Sequence, residues 1–167
     1  MIFRALLLSL VVLVPSAVSA QATAASPIDG VWKIAEVVTT GANAATNANP
    51  QQSLIIFARG HYSWININGS TLRTQSLAPK DPAKLTDAEK LARYEEWSPL
   101  TAQSGTFETK GSTLTRRALV AKNVGAMNPK NSNVQEFKLE GNTLWLTSRS
   151  AAGQPASETR TKFTRVQ

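Results

Sequence analysis

The stretch Ser104-Gly105-Thr106-Phe107-Glu108-Thr109-Lys110-Gly111-Ser112-Thr113-Leu114-Thr115-Arg116-Arg117-Ala118-Leu119-Val120 decides the fold class of this 167-residue chain. Two short runs rich in threonine and apolar residues flank Lys110-Gly111. A side-chain period of two places alternate residues on opposite faces of an extended strand. Two such runs joined by a short glycine-containing link read as a β-hairpin.

The same pattern continues in both directions. Upstream it gives strands over Val31 to Thr39, Ser53 to Arg59 and His61 to Ile67; downstream it gives Asn133 to Glu140, Thr143 to Ser150 and Glu158 to Val166. With the two strands of the hairpin, Ser104 to Thr109 and Ser112 to Val120, eight are expected. A single helix signal interrupts them. Thr86-Asp87-Ala88-Glu89 is a capping box, in which the Thr hydroxyl and the Glu carboxylate satisfy exposed amides at a helix start. The helix should run to about Trp97 and stop before Pro99, with Leu91, Tyr94 and Trp97 forming a stripe that packs against the sheet. Asn68-Gly69 is also a strong turn signal, so residues 70–76 are a further candidate strand.

Connection lengths alternate. Residues 40–52, 68–103 and 121–132 are long links and 151–157 an intermediate one, whereas Gly60, Lys110-Gly111 and Gly141-Asn142 are tight turns. In an up-and-down barrel alternate links lie at opposite ends, so the longer links should gather at one mouth. An eight-stranded barrel has room for packed side chains or one small ligand.

Residues 1–20 have the parts of a signal peptide: Arg4 as the basic start, an apolar run from Ala5 to Val14, and Pro15 opening a polar end with cleavage after Ala20 or Ala22. The run is about half the roughly 20 residues that a membrane-spanning helix needs. The expectation is an exported protein, periplasmic or secreted, with a flexible leader at 21–27 and one domain over 28–167. The chain has no cysteine, which excludes disulfides, thiol catalysis and cysteine-ligated metal. His61 is the single histidine, and it sits beside a tight turn, so no metal site or cofactor is expected. The net charge of +7 raises nucleic acid and anionic lipid as partners. No basic run exceeds Arg116-Arg117, so nucleic acid is set aside and a weak contact with an anionic lipid surface is kept.

Gly30-Val31-Trp32 at the start of the first strand resembles the Gly-x-Trp opening of lipocalins and of bacterial lipocalin-like domains. Gly105 to Thr109 with Gly111 to Thr115, and Leu139 to Leu146, are similar to the later hairpins of the bacterial group. Lys162 to Val166 is similar to its closing strand. The resemblance covers most of 28–167 and implies an all-β, eight-stranded antiparallel up-and-down lipocalin-like barrel with one helix inserted between strands 3 and 4. In such a barrel the first strand begins and the last ends at the closed rim, so a closed-end structural pair is expected in which Arg165 stacks on Trp32.

Alternation from Trp32 puts Ile34, Glu36 and Val38 inside, with Phe107, Leu114, Arg116, Phe137, Leu139, Leu144 and Leu146 on the inner faces of their strands. Glu36 and Arg116 are the charged exceptions, and a charge inside a barrel needs a partner, water or a ligand. Arg116 either pairs with Glu36 or receives a carboxylate or phosphate head group, with Phe107, Phe137 and Leu146 covering an apolar tail. Tyr62 and Trp64 share one face and with Tyr94 are candidates to line a pocket beneath the helix. Glu95 and Glu96 diverge by about 100° on the helix and make no acid–base pair. No Gly-x-Ser-x-Gly elbow is present. Three functions remain: carriage of a small hydrophobic or amphipathic molecule, an isomerase of the allene oxide cyclase type, or a non-catalytic envelope interaction module.

Overall fold

The computed structural model describes residues 25–166. The expected signal segment and most of the leader lie outside the described residues. Nine strands form: β1 (Gly30–Gly41), β2 (Ala45–Asn47), β3 (Ser53–Ala58), β4 (His61–Ile67), β5 (Leu100–Lys110), β6 (Thr113–Ala121), β7 (Asn133–Glu140), β8 (Thr143–Arg149) and β9 (Ser157–Arg165), with helix α1 at Asp87–Trp97. Eight of them close a barrel. From β3 to β9 each strand pairs antiparallel with the next, β1 pairs with β3, and β9 returns to β1. β2 is a short addition clipped to Val37–Thr39 of β1.

Because β2 forms inside the first long link, the helix lies between the fourth and fifth strands instead of between strands 3 and 4. Residues 70–76 form no strand. β5 begins at Leu100, four residues earlier than its alternation indicated, because Leu100–Gln103 find partners in Ile67–Trp64.

The register fixes the two ends. Ala58 faces His61, Lys110 faces Thr113, Glu140 faces Thr143 and Trp32 faces Arg165. The tight turns thus share one rim with the start of β1 and the end of β9. Links 42–52, 68–99, 122–132 and 150–156 occupy the other rim. At the tight rim, Gly60 has φ +79° and Gly111 φ +57°, a left-handed backbone that side-chain-bearing residues disfavour.

The core sits toward this closed rim. Ile28, Trp32, Ile55, Phe57, Leu114, Leu144, Leu146 and Phe163 are all at most 2% exposed, and Phe57 meets Phe107 edge-to-face at 4.9 Å. Trp32 is completely buried, its indole N–H donating to the Ile28 carbonyl at 2.9 Å. The Arg165 guanidinium lies 4.1 Å from the centre of the Trp32 ring and donates to the Asp29 carbonyl at 2.8 Å. The segment preceding β1 thus folds across the barrel's end, with Ile28 as a plug.

The helix does not pack as its stripe predicted. The capping box forms, with the Thr86 hydroxyl accepting from the Glu89 amide, but α1 has no buried residue, and Leu91, Tyr94 and Trp97 are 56%, 68% and 56% exposed. Its contacts are polar instead. Arg73 donates to the Glu96 carbonyl at 2.8 Å, the Ser76 amide to the Glu96 carboxylate at 3.1 Å, and the Lys122 ammonium to the carbonyls of Ser98 and Leu100 at 2.9 Å each. Segment 68–99 is therefore an arm held at the open rim by hydrogen bonds and charge.

Candidate binding site

The inner wall changes character from one rim to the other. Moving two residues at a time toward the open rim, β8 runs Leu144, Leu146, Ser148; β9 runs Phe163, Thr161, Thr159; and β7 runs Leu139, Phe137, Gln135. On β8 and β9 the apolar side chains below are buried, on β7 they are half-buried, and the amides and hydroxyls above stand half-buried on all three. Half-buried Ile34, Trp64, Phe137 and Leu139 pack on the core.

Arg116 lies where the two halves meet. It is 1% exposed, stands opposite Phe107 on β5 and Asn133 on β7, and lies over two aromatic rings, 4.6 Å from Trp64 and 5.4 Å from Tyr62. Its Nη2 donates to Asn133 Oδ1 at 2.8 Å and to Gln135 Oε1 at 2.6 Å. Gln135 passes the chain on, donating to the Ser148 hydroxyl at 2.7 Å. Ser148 neighbours Thr159, whose hydroxyl meets that of Thr39 at 3.0 Å. A polar row thus crosses the inner wall from β6 to β1.

Arginine carries five N–H donors, and only those on Nη2 are used. Nε and Nη1 of Arg116 are buried without partners among the described residues, as is the indole Nε1 of Trp64. Among the described residues no carboxylate answers the charge. Burial lowers the Arg116 pKa to about 10, with the Tyr62 phenol opposing the change, so the side chain remains a cation at neutral pH. Tyr62 in turn is pushed up by burial and pulled back by the Arg116 charge.

The candidate residues therefore separate. Tyr62, Trp64, Phe107, Arg116, Phe137 and Leu146 all lie on the inner wall, with Tyr62 and Trp64 directly against Arg116. Glu36 does not join them. A β-bulge at Ala35 lets Ile34 oppose Phe163 while Glu36 opposes Lys162, and one extra residue exchanges the faces of everything beyond it. Glu36 and Val38 therefore turn outward and Val37 and Thr39 inward, so the Glu36–Arg116 pair does not form. Tyr94 is also elsewhere. It lines a cleft of about 730 Å³ between residues 68–77 and α1, with Leu72, Arg73 and Leu77, because the arm stands off the barrel.

Asn133, Gln135, Ser148, Thr159 and Thr39 were missed from sequence. The first four carried a readable signal, since the period of two from Phe137, Leu146 and Phe163 leads directly to them. Thr39 did not, because its face depends on the bulge. His61 is exposed at the tight turn, its Nδ1 3.2 Å from the Arg59 carbonyl. No three His, Cys, Asp or Glu side chains converge on a metal-sized site among the described residues.

No protein-family model matches the chain, and no curated protein matches it. Among solved structures it is similar to an uncharacterized protein from Bacteroides eggerthii, at 9% identity and a TM-score of 0.44, over 82% of this chain and 98% of that one.

Proposed function

We propose that this chain is an exported, lipocalin-like protein that binds a small, largely apolar molecule in the barrel and its mouth loops. The observation that carries this reading is the barrel's asymmetry. One end is plugged by Ile28 and Trp32, while farther toward the other the inward-facing Trp64 and Phe137 remain only half-buried. Apolar surface facing a cup gains about 25 cal/mol for each Å² that a guest removes from water. The hydroxyls and amides nearer the rim supply a small polar complement of the kind that orients guests in concave sites.

The Gly-x-Trp opening with Arg165 on Trp32 supports the lipocalin-like reading, and the basic, apolar and small-residue succession of 1–22 supports export. Carriage is favoured over isomerase chemistry because the inward-facing strand residues include no carboxylate or imidazole. Among the described residues Arg116 is the one buried ionised group, and a lone guanidinium is a poor proton shuttle at neutral pH.

The test is native mass spectrometry of protein purified without detergent, followed by thermal denaturation with a panel of fatty acids, long-chain alcohols and pigments. A guest that binds only the folded state raises its melting temperature with concentration. Failure of every apolar probe to shift the transition sinks the reading.

A further inference from the structure

We propose that Arg116 is the receptor for the carboxylate of an amphipathic guest and that Trp64 is the movable cover the guest displaces. The proposal rests on the carriage reading above and names the chemistry of its polar end. Nε and Nη1 of Arg116 and Nε1 of Trp64 are donors buried without acceptors among the described residues, on side chains stacked with the guanidinium carbon 4.6 Å from the indole ring centre. Donors left unpaired in a protein interior are costly, and a buried cation without a counter-ion more so. An acceptor-only group satisfies both deficits together.

Charge balance selects among the anions. One guanidinium stands alone, so a monoanion neutralises the site, whereas a phosphate monoester would introduce a second negative charge with nothing to meet it. Phe107 stands opposite Arg116 in the sheet, and Phe137 and Leu146 form an adjacent pair on the same wall. The fitting ligand class is therefore a medium- or long-chain carboxylic acid, its head at Arg116 and its chain along the inner wall.

Trp64 controls entry. It lies one inward position nearer the open rim than Tyr62 on β4, and it is half-buried where Tyr62 is only 4% exposed. The unpaired nitrogens of Arg116 have no surface open to solvent, so a carboxylate reaches them only when the indole moves aside. That movement takes Trp64 off the guanidinium and changes its emission.

The experiment compares decanoate, decanol and decyl phosphate, each below its micellar concentration, by calorimetric titration and tryptophan emission. Loss of charge-assisted hydrogen bonds predicts decanol about tenfold or more weaker than decanoate, with decyl phosphate also weaker at pH 8. The decanoate-induced emission change should be present in the native sequence and absent in Trp64→Phe. Arg116→Met should bind decanoate no better than decanol. Equal binding of decanoate and decanol by the native chain overturns the assignment while leaving carriage standing, and this comparison needs no variant to fold. Retained preference in Arg116→Met, or tighter binding of decyl phosphate, also overturns it. If none of the three binds and the wider apolar panel fails as well, both readings fall together.

Discussion

Replacing Arg116 with methionine separates a waiting binding group from a structural tie. The side chain is 1% exposed, and burial lowers its pKa to about 10, roughly two units or more below the usual arginine range. At ~1.4 kcal/mol per pH unit, holding the cation in this position costs about 3 kcal/mol relative to water. Against that stand a desolvated stack on Trp64, worth about 2 kcal/mol, and hydrogen bonds to Asn133 and Gln135, worth about 1–2 kcal/mol together because Asn133 is exposed and Gln135 half-buried. The contributions nearly cancel. Methionine fills a similar volume without a charge, so Arg116→Met should change unfolding stability by no more than about 1 kcal/mol. In urea, with a slope of about 1–3 kcal/mol/M, the midpoint should move by less than about 1 M. A loss of about 3–5 kcal/mol, as when one member of a buried ion pair is removed, would refute the reasoning and make the guanidinium part of the scaffold.

Arg165→Ala should lower stability by about 1–3 kcal/mol through loss of the Trp32 stack and the hydrogen bond to Asp29, and Trp32→Ala by about 3–5 kcal/mol, both read from denaturant midpoints. At Gly105 a methyl group would stand 1.9 Å from the Arg117 carbonyl oxygen, so Gly105→Ala should cost about 1–3 kcal/mol; unchanged stability would show that the β5–β6 bulge yields freely. Leu91→Ala and Tyr94→Ala should each stay within about 0.5 kcal/mol of the native chain, because neither side chain is buried. The arm should respond to acid. Hydrogen bonds from Thr86 hold Glu89, and those from Ser76 hold Glu96, below their ordinary 4.5. Their stabilisation is present above that value and is lost as pH falls through the lowered pKa, so the amides of Ser76 and Thr86 should lose hydrogen-exchange protection, relative to the barrel, below about pH 4.5.

The hairpin of Ser104 to Val120 and its counterparts were legible because β-periodicity and turn chemistry are local. That local signal gave the eight barrel strands within a few residues, the capping box at Thr86 and Glu89, and the inward face of Arg116. The sequence also contained the change from Leu146 to Ser148 and from Phe163 to Thr159 that makes one end of the wall polar. Three matters were decided only by tertiary structure. The bulge at Ala35 turned Glu36 outward, because strand parity beyond a bulge depends on which partner residue is skipped. The stripe on α1 stayed exposed, because amphipathicity says that a face is apolar but not that a neighbour comes within reach. Arg116 was left without a counter-ion among the described residues, because whether a buried charge is answered depends on which side chains converge from β4, β5 and β7, far apart in the chain, as Tyr62 and Gln135 are, and joined only when the barrel closes.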